Sequence, residues 1–133
     1  MRVADLMVED LRVVGTDSTV AEAIVVLADS HISALPVVDR HGKIVGVIST
    51  TDILGAAAEC GDAKARDELF EGTPVRDLMT SPPATIELTI DVKEAAQQML
   101  HLEVHRLFVE DRGKLVGVIS QSDIVRAVAT AKI

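Results

Sequence analysis

The stretch Gly42–Ile53, GKIVGVISTTDI, occurs twice in this chain. It returns at Gly113–Ile124 as GKLVGVISQSDI, and nine of the twelve positions are identical. In each copy a glycine opens a turn, a run rich in Val and Ile predicts a buried strand, and a helix-like segment follows. Self-similarity of this kind identifies the folding unit. The chain therefore consists of two related units, each built around this strand and helix.

Between the strand and the helix, each copy carries Ser-x-x-Asp, at Ser49–Asp52 and at Ser120–Asp123. A helix that begins here presents free backbone N–H groups beside a hydroxyl and a carboxylate, and such an end can hold a phosphate. The same pattern is an ordinary capping arrangement, which stabilises a helix by about 0.5–2 kcal/mol. Two copies on matching strands favour a binding function without excluding the cap.

Other segments correspond between the two halves of the chain. They are lead-in turns (Val3–Met7 and Val75–Met79), short strands (Arg12–Val14 and Ala84–Ile86), capping signals before a helix (Thr19–Glu22 and Asp91–Glu94) and second strands (Ala34–Val38 and Arg106–Glu110). Apolar residues at helical spacing follow both capping signals. Each unit is therefore predicted to be β-α-β-β-α.

A unit of about 55 residues is small for an independent core, so two units are expected to share one. The predicted fold is α/β, with the units packed sheet to sheet about a pseudo-twofold axis that creates two related clefts. We assign residues 1–60 to the first repeat, 61–74 to a connector and 75–130 to the second repeat. The segment Glu59–Thr73 is expected to be a helical extension and an exposed connector without chemistry of its own.

Composition and charge exclude several functional classes. The formal charge is −8 and no basic stripe is visible, which disfavours nucleic-acid binding. Aromatic residues are only 2% of the chain, so bases cannot stack on an aromatic platform. Acidic residues near the N-terminus argue against a secretion signal, and no apolar run approaches the ~18 residues of a membrane span. We therefore expect a cytoplasmic protein without a membrane partner.

Catalytic and metal-binding patterns are missing from the sequence. Cys60 is the only cysteine, which excludes an internal disulfide and a CxxC metal pattern. The chain has no P-loop, no GxGxxG and no Ser/His/Asp or Cys/His arrangement for nucleophilic attack. The two acidic motifs belong to separate predicted clefts, so they do not form a catalytic pair. We predict that the protein is not an enzyme and requires no metal or cofactor.

Several of these features together resemble a CBS-domain pair, or Bateman module. They are the two DLM lead-ins, ISALPVVD, VHRLFVED and the two GKxVGVISxxDI segments, and the resemblance covers Val3–Ala129 except the connector. Phe108 departs from the family pattern, which commonly has proline there, as Pro36 is in the first repeat. The resemblance implies a regulatory ligand that contains adenosine: AMP, ADP, ATP, S-adenosylmethionine or a dinucleotide.

The resemblance also implies site residues, which we carry over by position. In the family the Asp of the S/T-x-x-D segment binds ribose hydroxyls, the Ser or Thr lies near the ribose or phosphate, and the other unit encloses the base. One cleft is then expected to join Ser49, Thr50 and Asp52 to Ala84, Val104, His105 and Arg106. The other is expected to join Ser120, Gln121 and Asp123 to Arg12, Ile32, Ser33 and Ala34.

The residue types at these positions suit the implied ligand unequally. A carboxylate can accept hydrogen bonds from two adjacent ribose hydroxyls. The guanidinium of Arg106 suits phosphate oxygens, although an exposed strand end or an inter-subunit salt bridge also explains it. In the second cleft, Arg126 is either a partial substitute or a solvated helix residue, and Gly55 occupies its place in the first repeat. We therefore expect the Asp52 cleft to prefer phosphate.

Two functions remain open at this point. The first is a regulatory module that senses adenine nucleotides or S-adenosylmethionine and passes the signal to an unknown partner protein or to its own oligomer. The alternative is a ligand-independent dimerisation scaffold. Apolar helix faces at Ile53–Ala58 and Ile124–Ala129 predict a homodimer in either case.

Overall fold

A computed structural model of the chain describes residues 1–130, which form two compact units. The central unit is Arg12–Pro83, and the terminal unit combines Met1–Leu11 with residues 84–130. In chain order the elements are α1 (Val3–Leu6), β1 (Val14–Gly15), α2 (Val20–Ser30), β2 (Ala34–Val38), β3 (Ile44–Ser49), α3 (Thr50–Ala58), α4 (Ala63–Gly72), a 3-10 turn (Val75–Asp77), β4 (Thr85–Glu87), α5 (Val92–Leu102), β5 (Arg106–Asp111), β6 (Lys114–Ser120) and α6 (Gln121–Ala129).

Each unit contains one three-stranded sheet. The order is β1-β2-β3 in the central unit and β4-β5-β6 in the terminal unit. The first two strands of each sheet are parallel, because a helix connects them, and the last two form an antiparallel hairpin. The prediction of a mixed α/β fold built from two β-α-β-β-α repeats is confirmed.

The cores of both units are aliphatic, as the composition predicts. In each, the middle hairpin strand (β2 or β5) buries three consecutive residues, burial alternates along most of the last strand (β3 or β6), and one face of the preceding helix is removed from water. The central core includes Val20, Leu27, Leu35, Val37 and Ile48, and the terminal core includes Val92, Met99, Leu107, Val109 and Ile119.

The lead-in segments, which include the next residue and so span Val3–Val8 and Val75–Thr80, do not pack within their own repeats, which corrects our expectation that each one begins its unit. Val8, in the first lead-in, exchanges two backbone hydrogen bonds with Val118 of β6, at 2.8 and 2.9 Å. Thr80, in the second lead-in, does the same with Val47 of β3, at 3.0 and 2.8 Å. The outer edges of β3 and β6 carry backbone groups without strand partners, and the lead-ins satisfy some of them.

This edge pairing explains one glycine of the repeated motif. A Cβ at Gly117 would lie 2.9 Å from the carbonyl oxygen of Val8. At Gly46 it would lie 2.5 Å from Sδ of Met79 and 3.0 Å from the carbonyl oxygen of Thr80. Both positions therefore require glycine because a backbone segment crosses them closely.

The connector also differs from our expectation. Helix α3 ends at Ala58, and α4 is a separate helix capped by Asp62, whose carboxylate accepts from the N–H of Ala65 at 2.8 Å. Phe70 of α4 packs against the central core, and α4 contacts α2 and α3. The connector is therefore part of the central unit. Across residues 1–130, no helix combines the length and hydropathy needed to span a membrane.

Candidate functional site

Both Ser-x-x-Asp segments lie where a hairpin strand passes into a helix. In the central unit the Ser49 hydroxyl accepts from the N–H of Asp52 at 3.1 Å, and Oδ2 of Asp52 accepts from the N–H of Ser49 at 2.9 Å. In the terminal unit the corresponding distances for Ser120 and Asp123 are 3.2 and 2.8 Å. Both segments are therefore reciprocal capping boxes, and the capping interpretation is confirmed.

The caps leave one carboxylate oxygen of each aspartate outside the reciprocal pair. In the central unit Oδ1 of Asp52 accepts from the hydroxyl of Thr80 at 3.3 Å. In the terminal unit Oδ1 of Asp123 accepts from Nη2 of Arg126 at 3.3 Å. The backbone geometry is thus repeated, whereas the side chains that contact the second oxygen differ.

Within the central unit, the residues after α2 lie beside the start of α3. Ala34 pairs with Ser49 across the hairpin, and the N–H of Thr50 donates to the carbonyl of Ser33 at 2.9 Å. Ile32 and Ser33 are exposed next to this junction, and Arg12, which precedes β1, is also exposed. The central unit therefore brings Ile32, Ser33 and Ala34 to the end that carries Asp52.

The terminal unit repeats this arrangement with different side chains. Arg106 pairs with Ser120 across the hairpin, and the N–H of Gln121 donates to the carbonyl of His105 at 2.9 Å. The Gln121 side chain donates to the carbonyl of Val104 at 3.1 Å, so it is held within its own unit. The carbonyl of Ala84, which lies just before β4, accepts from the N–H of Phe108 at 3.0 Å.

Each unit thus holds seven of the candidate residues, and most of them lie at its helix start. The terminal unit holds Ala84, Val104, His105, Arg106, Ser120, Gln121 and Asp123, and the central unit holds Arg12, Ile32, Ser33, Ala34, Ser49, Thr50 and Asp52. The grouping expected from the resemblance takes residues from both units for each ligand, and it stays a prediction.

Thr80 is a candidate that the sequence analysis did not select. Its contact with Asp52 joins residues 28 positions apart, so the motif around Asp52 gives no sign of it. The signal that could have found it is the difference between the two lead-ins, which read DLMT and DLMV. The two segments match except at their last residue, which is polar Thr80 in one and apolar Val8 in the other.

The terminal unit also has an apolar pocket on its helical side, of about 210 Å³. It is lined by Ala96, Met99, Leu100, Gln121, Ile124 and Val125 of α5 and α6. Leu100 and Val125 are 74% and 65% exposed, so two of the aliphatic side chains that line this pocket face water. Among residues 1–130, no three His, Cys, Asp or Glu side chains are grouped so that they could hold a metal ion.

Comparisons with known proteins agree with this architecture. The CBS domain family matches residues 3–59 and 75–130, which are the two sequence repeats. The chloroplastic CBS domain-containing protein CBSX1 of Arabidopsis thaliana is 32% identical over 145 residues, covering 93% of this chain. That alignment covers 61% of CBSX1, so this chain corresponds to about three fifths of its length.

Two solved structures are similar along nearly their whole length. CBSX2 of Arabidopsis thaliana, crystallised in complex with AMP, has a TM-score of 0.82 and 31% identity, covering 99% of this chain and 98% of that chain. The CBS domain pair of protein MJ0100, in complex with 5′-methylthioadenosine and S-adenosyl-L-methionine, has a TM-score of 0.80 and 25% identity, covering 98% of both chains. The repeated fold, the repeated capping box and these matches together show that the chain belongs to the CBS domain family, as a pair of CBS repeats.

Proposed function

We propose that this protein is a regulatory module that binds an adenosine-containing molecule at the starts of α3 and α6. The observation that carries the proposal is the repeated capping box, which fixes each aspartate through Oδ2 and directs Oδ1 away from the cap. A carboxylate held in this way can accept hydrogen bonds from ribose hydroxyls, and the adjacent helix N-terminus favours an anionic phosphate. The similar CBS pairs in complex with AMP, or with 5′-methylthioadenosine and S-adenosylmethionine, support this ligand class.

The ligand is proposed to act as a signal and not as a substrate. Binding changes the behaviour of such a module only if two conformations differ in their affinity for the ligand. The output then passes to a target protein or through the module's own oligomer. A cytoplasmic location accords with a lone cysteine in a reducing compartment, and it stays a prediction.

A homodimer is the second part of the proposal. The exposed side chains Leu100 and Val125 border the apolar pocket on α5 and α6, and a second copy of the chain would remove them from water. The same surface supports the alternative function, a scaffold that dimerises without any ligand. Measurements of ligand binding separate the two functions.

Isothermal titration calorimetry with AMP, ATP and S-adenosylmethionine tests the proposal. We expect binding of at least one of these, with one or two molecules per chain, and the loss of one site in Asp52→Ala and in Asp123→Ala. Each substitution also removes the N3 half of a capping box and leaves the capping serine in place, so the loss of stability should not exceed the roughly 0.5–2 kcal/mol of a full cap. Asp62→Ala, which removes the cap of α4, is the control: it should lower stability similarly and leave binding unchanged.

Two results would contradict the proposal. If none of the three compounds binds to dialysed protein, the scaffold function is favoured. If Asp52→Ala and Asp123→Ala lower stability and leave the number of sites unchanged, then the two aspartates serve only as caps. Conversion of the nucleotide during the same incubation would instead reveal an enzyme.

A further inference from the structure

We infer that Thr80 is a positioning residue for Asp52, and that it makes the Ser49–Asp52 site the stronger of the two ribose sites. The inference rests on the proposed function, because it concerns the affinity of a ligand at that site. It goes further in stating that the two sites are unequal and in naming the side chain responsible.

Thr80 and Val8 occupy equivalent positions in the two units. Thr80 pairs with Val47 of β3, and Val8 pairs with Val118 of β6. Val47 and Val118 each lie two residues before the capping serine of their motif. The lead-in residue beside each aspartate is therefore a threonine in one unit and a valine in the other, and only threonine can donate a hydrogen bond.

The hydroxyl of Thr80 contacts the one carboxylate oxygen that the cap does not use. Oδ2 of Asp52 is fixed by the N–H of Ser49 at 2.9 Å, and the Thr80 hydroxyl reaches Oδ1 at 3.3 Å. Two donors on opposite oxygens fix the rotation of the carboxylate plane. The side chain therefore loses its conformational entropy on folding and not on ligand binding, which favours binding.

Counting acceptor positions shows why this arrangement suits a ribose. A carboxylate offers about four lone-pair positions. At Asp52 one is used on each oxygen, so one remains on each, matching two adjacent hydroxyls. At Asp123, Oδ2 accepts from both the N–H and the hydroxyl of Ser120, and Oδ1 accepts from Arg126. One position is left there, so a ribose must displace an existing donor.

The neighbour on the helix strengthens the difference. Arg126 lies one turn after Asp123 and pairs with it at 3.3 Å, whereas the equivalent residue of α3 is Gly55. The Arg126 side chain is 71% exposed, so this ion pair is weak and can be displaced. Displacing it still lowers the affinity of the Asp123 site relative to the Asp52 site.

Ribose discrimination measures the proposed role directly. AMP and 2′,3′-dideoxy-AMP differ only in the two hydroxyls that Asp52 would bind. In an Asp123→Ala background, which leaves a single site, we expect Thr80→Val to weaken AMP binding about fivefold, since a hydrogen bond to a carboxylate is lost at an exposed position. Binding of 2′,3′-dideoxy-AMP should not change. Thr80→Ser, which keeps the hydroxyl, should restore the affinity for AMP.

Val8→Thr in the same background is the matched control, because it changes the equivalent residue of the other unit. It should leave the affinities for AMP and for 2′,3′-dideoxy-AMP unchanged. Circular dichroism reports whether each variant folds. If Asp123→Ala does not fold, Asp123→Asn retains an oxygen for the cap and replaces it as the background.

The possible results separate this inference from the proposed function. If the single-site protein binds AMP and Thr80→Val weakens both ligands equally, Thr80 only shapes the pocket and the inference is wrong. It is also wrong if Thr80→Val leaves AMP binding unchanged. If the wild-type chain binds neither compound, adenine nucleotides are not its ligands, and the failure lies with the proposed function.

Discussion

Arg106 distinguishes the second repeat from the first more than any other candidate site residue, because its counterpart is Ala34. It is half-buried at the start of β5, where it pairs with Ser120 across the hairpin. A guanidinium at this position can form two parallel hydrogen bonds with a phosphate. The net charge of −8 repels an approaching anion, so one local cation has a larger effect at low salt.

We predict that Arg106→Ala weakens AMP binding about tenfold to a hundredfold, since a charge-assisted contact contributes roughly 1.5–3 kcal/mol. Adenosine, which has no phosphate, should bind nearly as before. Titration calorimetry with both compounds measures the difference. Arg112→Ala, in an exposed turn of the same unit, makes the same change in net charge and should have little effect.

An equal loss of affinity for adenosine and AMP would show that Arg106 shapes the pocket. That result would remove the expected preference of the Asp52 site for phosphate. It would not affect the role of Thr80, which concerns the ribose.

Pairing between the strands and the lead-ins determines which substitutions the repeated motif tolerates. Gly117→Ala places a methyl group 2.9 Å from a backbone oxygen of the first lead-in, which cannot move without breaking its pairing with β6. We predict a loss of about 1–3 kcal/mol in the free energy of unfolding, as for other overpacked sites. Denaturant titration measures it.

Gly55→Ala is the matched comparison for this prediction. Gly55 lies within α3, and a Cβ there meets no atom within 4 Å. Alanine is preferred to glycine inside a helix by about 0.5–1 kcal/mol, so this variant should be more stable than the wild type. If Gly117→Ala is equally harmless, the lead-in does not approach β6 as closely as described.

The turn between β2 and β3 contains a carboxylate that affects the pH dependence of stability. The Asp39 carboxylate accepts from the N–H groups of Lys43 and His41, and these bonds lower its pKa below the ordinary value of 3.8. Because its pKa is lowered in the folded state, the ionised Asp39 carboxylate stabilises the fold. This contribution to stability is fully present above pH 3.8 and is lost as the pH falls through the lowered pKa.

We predict that Asp39→Asn, which keeps an acceptor oxygen and removes the charge, is less stable than the wild type at neutral pH. Because the wild-type carboxylate becomes protonated in acid, this difference should shrink as the pH falls below 3.8. Urea titrations of both proteins, at pH 7 and in acid, measure the difference in the free energy of unfolding at each pH. If the stability difference between Asp39→Asn and the wild type does not depend on pH, the Asp39 carboxylate does not stabilise the fold through its charge.

For the molecule as a whole, the two helical surfaces differ in how much of them the chain itself covers. Helix α4 contacts α2 and α3 in the central unit. In the part of the terminal unit that the structure describes, α6 is contacted by α1, a helix of four residues, whereas α4 has ten. Leu54 and Val125 occupy equivalent positions of α3 and α6 and are 70% and 65% exposed, so they probe the two surfaces in matched fashion.

We predict that the wild-type chain is a dimer at micromolar concentration and that Val125→Glu shifts it toward the 14.2 kDa monomer. A charge in an apolar interface costs several kcal/mol of association energy because it must lose its hydration. Leu54→Glu is the matched substitution on α3, and because Leu54 is also exposed, it tests whether the α3 surface belongs to the same interface. Light scattering that shows only monomer for the wild type would contradict the homodimer.

The sequence by itself determined the repeat, the mixed α/β class and the local elements. The bounds of β2 were predicted correctly, and Ser49 and Ser120 cap their helices as the motif indicates. These features depend on side-chain periodicity and on hydrogen bonds that span three or four residues, so a short window of sequence contains the necessary information.

Only the tertiary structure decided where the lead-ins pack and what contacts the free oxygen of Asp52. The pairing of Val8 with Val118, and the hydrogen bond between Thr80 and Asp52, join segments that are far apart in the chain. Either lead-in offers the same backbone donors and acceptors to a strand edge, so no local pattern indicates which edge it pairs with. Which edge each lead-in pairs with depends on the packing of whole units. The different contacts of Asp52 and Asp123 depend on it too.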